Sequence, residues 1–245
     1  MPPLIVLADA NVLVKDVVSF AFFDLARAGA IDLRWTPQIE VEYAKHRARL
    51  RAQANQREST ADDLVWAQKR LATIKKHLVP GFQLPGWDDD GDRLELLRSN
   101  KALAPLLRLP DPDDVHVALA AADWAQATGR DVVLATDNLK DLPAKVLAPF
   151  GVVPLHPGDV LQLVYQMDPE GTASSLQKTA ADFKNPAFSL LDMLASIKSP
   201  QQFDNQELAA ELAFQLLDLQ RERGLADMAL LGRAAEMTVA GDRCE

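Results

Sequence analysis

Acidic side chains recur in this sequence where a buried strand ends or a helix begins. Asp9 directly follows the apolar run Leu4-Ile5-Val6-Leu7-Ala8, and no cap or turn role fully explains an acid in that place. A second such run, Val132-Val133-Leu134-Ala135, is followed by Thr136, Asp137, Asn138 and, a little later, Asp141. Asp111, Asp113 and Asp114 stand where the sequence reads as a helix start, and Glu40 and Glu42 fall on the first turns of another helix. Like charges brought together repel and raise one another's pKa unless something positive compensates. This set offers only oxygen donors, with no cysteine and no histidine, which suits a hard divalent ion, Mg²⁺ or Mn²⁺. One such ion, or two about 3.5–4 Å apart, activates water and steadies the charge that develops on a phosphorus centre. The chemistry indicated is phosphodiester hydrolysis.

Each acid also has an ordinary role to weigh. Helix capping accounts for Asp111 and Asp113 better than ligation does. Asp114 is the preferred ligand of that trio, because Asp114, Ala118 and Ala121 share the small-residue face that turns to a sheet, where a lone carboxylate is expensive. Glu40 is sufficiently explained by complementing a helix N-terminus; Glu42, pointing elsewhere around the helix, is not. For Asp137 and Asp141 a turn role weighs as much as ligation. The histidines His46, His77, His116 and His156 are scattered and receive no catalytic part, with His116 read as a packing or surface residue of an alanine-rich helix. The acidic run Asp88-Asp89-Asp90-Gly91-Asp92 is not an EF-hand, since the sixth and twelfth positions counted from Asp88 are Arg93 and Ser99 rather than glycine and glutamate. It reads as a loop.

The elements that must position these groups follow from apolar runs and helical spacing. Strands are expected over Leu4–Ala8, Ile31–Trp35, Val132–Ala135 and Val152–Leu155. Helices are expected over Val12–Ala28, from Thr36 and Pro37 onward through the basic stretch, from Ser59-Thr60 to about His77, over Arg93–Leu107, over Asp113–Thr128 and over Leu142–Phe150. This alternation predicts an α/β three-layer sandwich around a central parallel sheet, and in such sheets ligands sit beyond the carboxyl ends of the strands where the strand order reverses. Beyond Asp159 no strand signal remains. A helix near Val160–Gln166, a linker at Gly171–Ser175 and a leucine-striped helix over Asn205–Arg223 (Leu208, Leu212, Leu216, Leu219) make this a C-terminal all-helical extension. The predicted domains are therefore residues 1–158, with a helical basic insert over about 45–107, and residues 159–245.

The 245 residues are 48% hydrophobic and 25% charged, which supports a folded core and excludes global disorder. The longest dense apolar stretch, Val17–Phe23, is too short to span a membrane, the N-terminus lacks a basic leader, and the single Cys244 forms no intrachain disulfide, so a cytoplasmic setting is expected. The net charge of −9 argues against nucleic acid until its distribution is read. Residues 159–245 carry 7 bases and 14 acids, while residues 45–77 carry nine bases, Arg47, Arg49 and Arg51 among them, against three acids. That local excess is the expected track for an RNA backbone.

Four strings in order resemble the PIN domain: Asp9-Ala-Asn11-Val-Leu after a strand, Thr36 with Glu42, Asp111-Pro-Asp-Asp114-Val-His-Val-Ala-Leu-Ala-Ala, and Ala135-Thr136-Asp137-Asn138-Leu-Lys-Asp141-Leu-Pro143. The likeness is closest to the VapC toxin ribonucleases of bacterial toxin–antitoxin systems and covers about residues 4–158. It implies metal-binding acids at Asp9, Glu42 and Asp114, a fourth catalytic position at Asn138 with Asp137 or Asp141 supplying charge nearby, and Thr136 orienting the acidic site by hydrogen bonding. Asn11 and Thr136, with Arg47, Arg49 and Arg51, are expected on the substrate side. The resemblance further implies a Mg²⁺- or Mn²⁺-dependent endoribonuclease, a small antitoxin partner and a homodimer; a PIN-like RNA-binding or scaffolding module without turnover is the alternative, motivated by the asparagine at position 138. The basic insert and the acidic tail set this chain apart from the compact toxins.

Overall fold

Four short strands, β1 (Leu4–Ala8), β2 (Ile31–Arg34), β3 (Val132–Ala135) and β4 (Val152–Leu155), form one sheet in the order β2-β1-β3-β4. All three pairings are parallel, with Leu4 opposite Ile31, Ala8 opposite Ala135 and Ala135 opposite Leu155. The computed structural model describes residues 2–77, 81–87, 91–184 and 189–197. In the central strands β1 and β3, successive residues are buried whichever way they point, so both faces of the sheet are covered, whereas β2 and β4 alternate buried with more exposed positions. A four-stranded parallel sheet wrapped by helices is the α/β sandwich that the apolar runs predict.

The chain runs from β1 out to the edge strand β2 and then returns to place β3 on the other side of β1. The strand order therefore reverses between β1 and β3, and a crevice opens at their carboxyl ends. Asp9 and Thr136 are the residues immediately beyond those ends. Their backbones continue the ladder, with Asp9 N–H donating to Ala135 O (3.0 Å) and Thr136 N–H to Leu155 O (2.9 Å), so both side chains spring from fixed backbone.

The stretch read as one helix over Val12–Ala28 is two, α1 (Ala10–Val14) and α2 (Asp16–Arg27), parted by an extended Lys15. Two interactions stabilise the break. Arg47 donates to the freed Val14 carbonyl (2.9 Å), and the Lys15 ammonium pairs with the Asp137 carboxylate. Next comes α3 (Pro37–Ala54), which starts as its sequence dictates, with Thr36 accepting the Ile39 N–H and proline in the first turn. It packs along α4 (Ala61–His77) through Ala44, Ala48 and Ala67, small residues that let the axes approach.

The helix expected over Arg93–Leu107 is confined to α5 (Asp92–Ser99), followed by 3₁₀ turns at Lys101–Leu103 and Leu106–Arg108. Asn100 ends it by accepting the Ala102 N–H with its side chain (3.0 Å), and Pro105 has no N–H with which to resume it. Likewise the helix expected from Asp113 opens with a 3₁₀ turn, Pro112–Asp114, because Asp111 accepts the Asp113 N–H; α6 (Val115–Thr128) begins one residue beyond Asp114. A four-residue helix, α7 (Ala144–Leu147), leads through a 3₁₀ turn (Ala148–Phe150) to β4.

Helices α8 (Pro157–Met167), α9 (Pro169–Asp182) and α10 (Leu190–Ser196) follow the sheet, and their Val160, Val164, Leu176 and Met193 enter the same hydrophobic core as β1 and β3. The expected linker Gly171–Ser175 lies inside α9. Its glycine, serines and threonine read as loop, but Asp168-Pro169 is a helix start, with Asp168 accepting the Gly171 N–H, and Ser175 bonds within the helix, donating to the Gly171 carbonyl (2.9 Å). The chain divides between Gln201 and Gln202; the leucine-striped segment Asn205–Arg223, Cys244 and the loop acids Asp88, Asp89 and Asp90 lie outside the described residues. Among the described residues no helix is long and apolar enough to cross a membrane.

Candidate metal centre

Asp9 is the fixed point of the site. Only 4% exposed, it caps α1 by accepting the Ala10 N–H at Oδ1 (2.6 Å), while Oδ2 accepts from the Asn11 amide (2.6 Å) and the Thr136 hydroxyl (2.7 Å). Burial pushes its pKa up against the lowering effect of those hydrogen bonds. Thr136 is fully buried and ties two segments together, since its Oγ1 also accepts from the Asn138 N–H (2.9 Å) and the Asn11 amide (3.2 Å). Asn11 in turn accepts the Asp137 N–H (3.2 Å), closing a ring of hydrogen bonds between the ends of β1 and β3. Asn11 and Thr136, expected on the substrate side, thus serve here as the frame that orients Asp9.

Asp114 approaches from a different element. It occupies the cap position of α6, yet its side chain makes no capping bond; instead its Oδ2 accepts from the Asn138 amide (2.7 Å). The fourth position is therefore an asparagine that grips a carboxylate, leaving the other Asp114 oxygen for a further partner. Burial, and then the charges of Asp9, Asp111, Asp141 and Asp113, push the Asp114 pKa up to about 7. Glu42, on α3, behaves the same way. Burial and the carboxylates of Asp9, Asp114 and Asp113 raise it to about 7, against a small lowering by Lys45.

Asp111, Asp114 and Asp141 each offer an oxygen within 4.8 Å of the others, and among the described residues this is the group of potential ligands that meets so closely. Asp9, Glu42 and Asp114 are coupled by charge but are not drawn to that mutual spacing. Asp114 thus stands between two sets of acids, Asp9 with Glu42 and Asp111 with Asp141. Asp111 does cap, as its sequence context indicates, and also contributes to the cluster. Asp137 is engaged elsewhere: Lys15 and the His156 ring nitrogen Nε2 (3.1 Å) face its oxygens, and although burial raises it, these partners hold its carboxyl below the usual range. Its charge is already compensated. Glu40 accepts from the Trp35 indole (2.8 Å) and pairs with Lys75 (2.7 Å), so it pins α3 to α4 and stays out of the site.

His116, read from the sequence as a packing or surface residue of an alanine-rich helix, is buried. His116, in the first turn of α6 and 7% exposed, lies with Nε2 3.6 Å from the Glu42 carboxylate, and its Nδ1 is 2.8 Å from the Asp113 carbonyl. A histidine amid alanines gives no periodic signal of its own; only the approach of α3 to the start of α6 reveals it.

The basic insert is less available than its count of charges indicates. Arg47 makes a two-oxygen bond with Asp16 (2.9 Å to each), Arg70 joins the same carboxylate (2.8 Å), Arg57 pairs with Asp63, and Arg51 lies 4.7 Å over the Trp66 ring with Asp63 at 3.5 Å. Arg47 is thus a brace between α2 and α3 rather than a surface cation. Among the described residues Lys45, Arg49, Lys69 and Lys76 are exposed and form no ion pair. Glu42, Lys45 and Arg49 are spaced so as to share one stripe of α3, so a basic track leads away from the acidic site.

Comparison with protein-family models, curated proteins and solved structures finds no match to this chain. Function is therefore argued from the site itself. Asp111, Asp114 and Asp141 are spaced so that their oxygens could hold a metal ion, and burial with neighbouring charges raises Asp114 and Glu42 to about 7.

Proposed function

We propose that this protein is a metal-dependent endoribonuclease of the PIN type. The observation that carries the reading is the set of carboxylates around Asp114: Asp111 and Asp141 each offer an oxygen within 4.8 Å of it, Asp9 is near enough for its charge to act on Asp114 and Glu42, and burial with neighbouring charges pushes Glu42 and Asp114 up to about 7. Carboxylates so placed bind a proton or a cation more readily than isolated ones do. Asp9, Glu42 and Asp114 would hold the ion, with Asp111 and Asp141 enlarging the negative field beside Asp114. When bound, a divalent ion supplies the Lewis acidity and the acidified water that phosphodiester hydrolysis needs.

The chain's own residues do the rest. Thr136 and Asn11 keep Asp9 in one orientation, and Asn138 holds one oxygen of Asp114, leaving the other outside that bond. Lys45 and Arg49 offer phosphate contacts beside Glu42, and Lys69 and Lys76 extend the positive field on α4. Single-stranded RNA suits such a track, since it bends a phosphate into a crevice more readily than a duplex does. The likeness to the toxin ribonucleases adds a small antitoxin and a homodimer to the proposal.

Incubation of labelled RNA with the purified chain tests this. Cleavage is expected with Mg²⁺ or Mn²⁺, loss of cleavage in EDTA, and loss in Asp9→Asn and Asp114→Asn. Undiminished cutting by either variant overturns the assignment. Tight RNA binding with no metal-dependent product would instead favour the non-hydrolytic RNA-binding module.

A further inference from the structure

We propose that the cavity between α2 and α4 is a base-stacking subsite for single-stranded RNA, in which Trp66 receives a base while Lys69 and Arg70 receive a phosphate. This rests on the ribonuclease reading above and adds a second place where the substrate is held, since none of the acids of the candidate metal centre lines the cavity.

The cavity measures about 450 Å³, a size that accommodates a small ligand. Phe20 of α2, with Trp66 and Ile74 of α4, gives it apolar walls, and Arg27, Lys69 and Arg70 give it positive charge. Among the described residues no carboxylate lines it. Lys69, Arg70 and Ile74 stand three, four and eight residues after Trp66, so one face of α4 presents an aromatic ring, two cations and an aliphatic group in turn. The Arg51 guanidinium lies over the Trp66 ring, 4.7 Å from its centroid, and comes from α3, which contributes nothing to the cavity wall. It steadies the indole without filling the space beside it.

Charge and shape together select the occupant. Two carboxylates stand near the cavity, and each is shared between bases: Asp16 by Arg47 and Arg70, and Asp24 by Arg27 and Lys178. Lys69 is exposed and forms no ion pair among the described residues, so five bases surround two acids and the surroundings favour an anion. The aromatic wall favours a flat, apolar-faced body on that anion, and a nucleotide is such a body. From Trp66 to Arg70 is about one helical turn, roughly 5.4 Å, and a nucleotide separates its base from its phosphate by a comparable length. Base stacking on aromatic side chains tolerates any sequence because every base has a π-face. An acidic peptide with aliphatic side chains also meets the charge, but it makes no use of the indole plane.

Binding of a fluorescein-labelled uridine dodecamer to the full-length protein in EDTA, read by anisotropy, tests this without cleavage. Trp66→Leu should weaken binding about 10-fold and Trp66→Phe much less, while an abasic dodecamer should bind wild type and Trp66→Leu alike. Lys69→Gln should lower the slope of log affinity against log salt by about 0.7, one phosphate contact on a single strand. Should Trp66→Leu fail to fold, a dodecamer carrying 5-iodouridine, photolysed on the wild type, should crosslink to the peptide that contains Trp66; crosslinks only elsewhere overturn the proposal. Equal binding of the uridine and abasic strands overturns it too, as does saturation by free UMP with no gain from chain length, which makes the cavity a mononucleotide site. Trp66-dependent binding of a leucine–glutamate peptide that the dodecamer does not displace assigns the cavity to a protein partner instead. Cleavage in Mg²⁺ or Mn²⁺ separates the two readings. Metal-dependent product with no effect of Trp66→Leu removes the subsite alone, and base-dependent binding with no product removes the nuclease alone.

Discussion

Thr136 shows how the acidic residues are controlled one side chain at a time. Its hydroxyl donates to Asp9 and accepts from Asn138, so Thr136→Val leaves a buried carboxylate oxygen and a backbone N–H each short of a partner. Such losses cost about 1–3 kcal/mol, expected as a lowered urea midpoint together with weaker metal binding. The raised carboxyls set the sign of a pH effect. Glu42 and Asp114 have ordinary values of 4.5 and 3.8 and titrate near 7 when folded, so the folded chain holds their protons more tightly than the unfolded one. Their contribution to stability is full below about pH 4 and is lost as pH rises through about 7. In EDTA the melting temperature should therefore fall between pH 5 and pH 8, and saturating Mn²⁺ should flatten that fall; a melting temperature that rises over the same interval without metal contradicts the coupling. At this scale the placement of Asp9 and Asp114 was legible from an acid ending an apolar run and an acid beside small residues, whereas the close meeting of Asp114 with Asp111 and Asp141 was not, because capping and turn roles accounted for both of those in the sequence. Asn138 gripping Asp114 and His116 facing Glu42 were not legible, because each depends on how closely two elements approach.

Among elements, the hairpin of α3 and α4 carries the proposed RNA track and shows why charge counting misleads. Nine bases in the sequence become four exposed cations without ion pairs among the described residues, because Asp16 and Asp63 engage Arg47, Arg70, Arg57 and Arg51, and Glu40 engages Lys75. Substitutions should divide accordingly. Lys45→Ala with Arg49→Ala should weaken RNA binding and reduce the salt dependence by about two phosphate contacts with little change in stability. Arg47→Ala should instead destabilise the fold by about 1.5–3 kcal/mol, the range for hydrogen bonds to charged groups, as read from denaturant melts. The break at Lys15 has a comparable logic: helical spacing across Val14 and Val17 predicts continuity, yet the interruption frees a carbonyl for Arg47 and delivers an ammonium to Asp137. Strands and helix starts were readable from apolar runs, proline and capping residues, while helix ends set by tertiary partners were not.

For the molecule as a whole, the parallel sheet places its strand reversal between β1 and β3, and the acids gather where that reversal opens. Helices α8, α9 and α10 complete the covering of this sheet, with Asp24 of α2 buried against Arg27, Lys178 and Thr179. Truncation after His156 strips Val160, Val164 and Leu176 from the core and should yield insoluble protein, whereas truncation after Gln201 should retain cooperative unfolding in a calorimetric scan. The central claim is that charged groups distant in the chain form one cation site. Calorimetric titration of Mn²⁺ into the metal-free protein at pH 8 and at pH 6 tests it most directly. A saturable site is expected at pH 8, weakened at pH 6 where Glu42 and Asp114 hold protons, and abolished by Asp9→Asn. Absence of saturable binding at pH 8, or binding unaltered by Asp9→Asn, contradicts it.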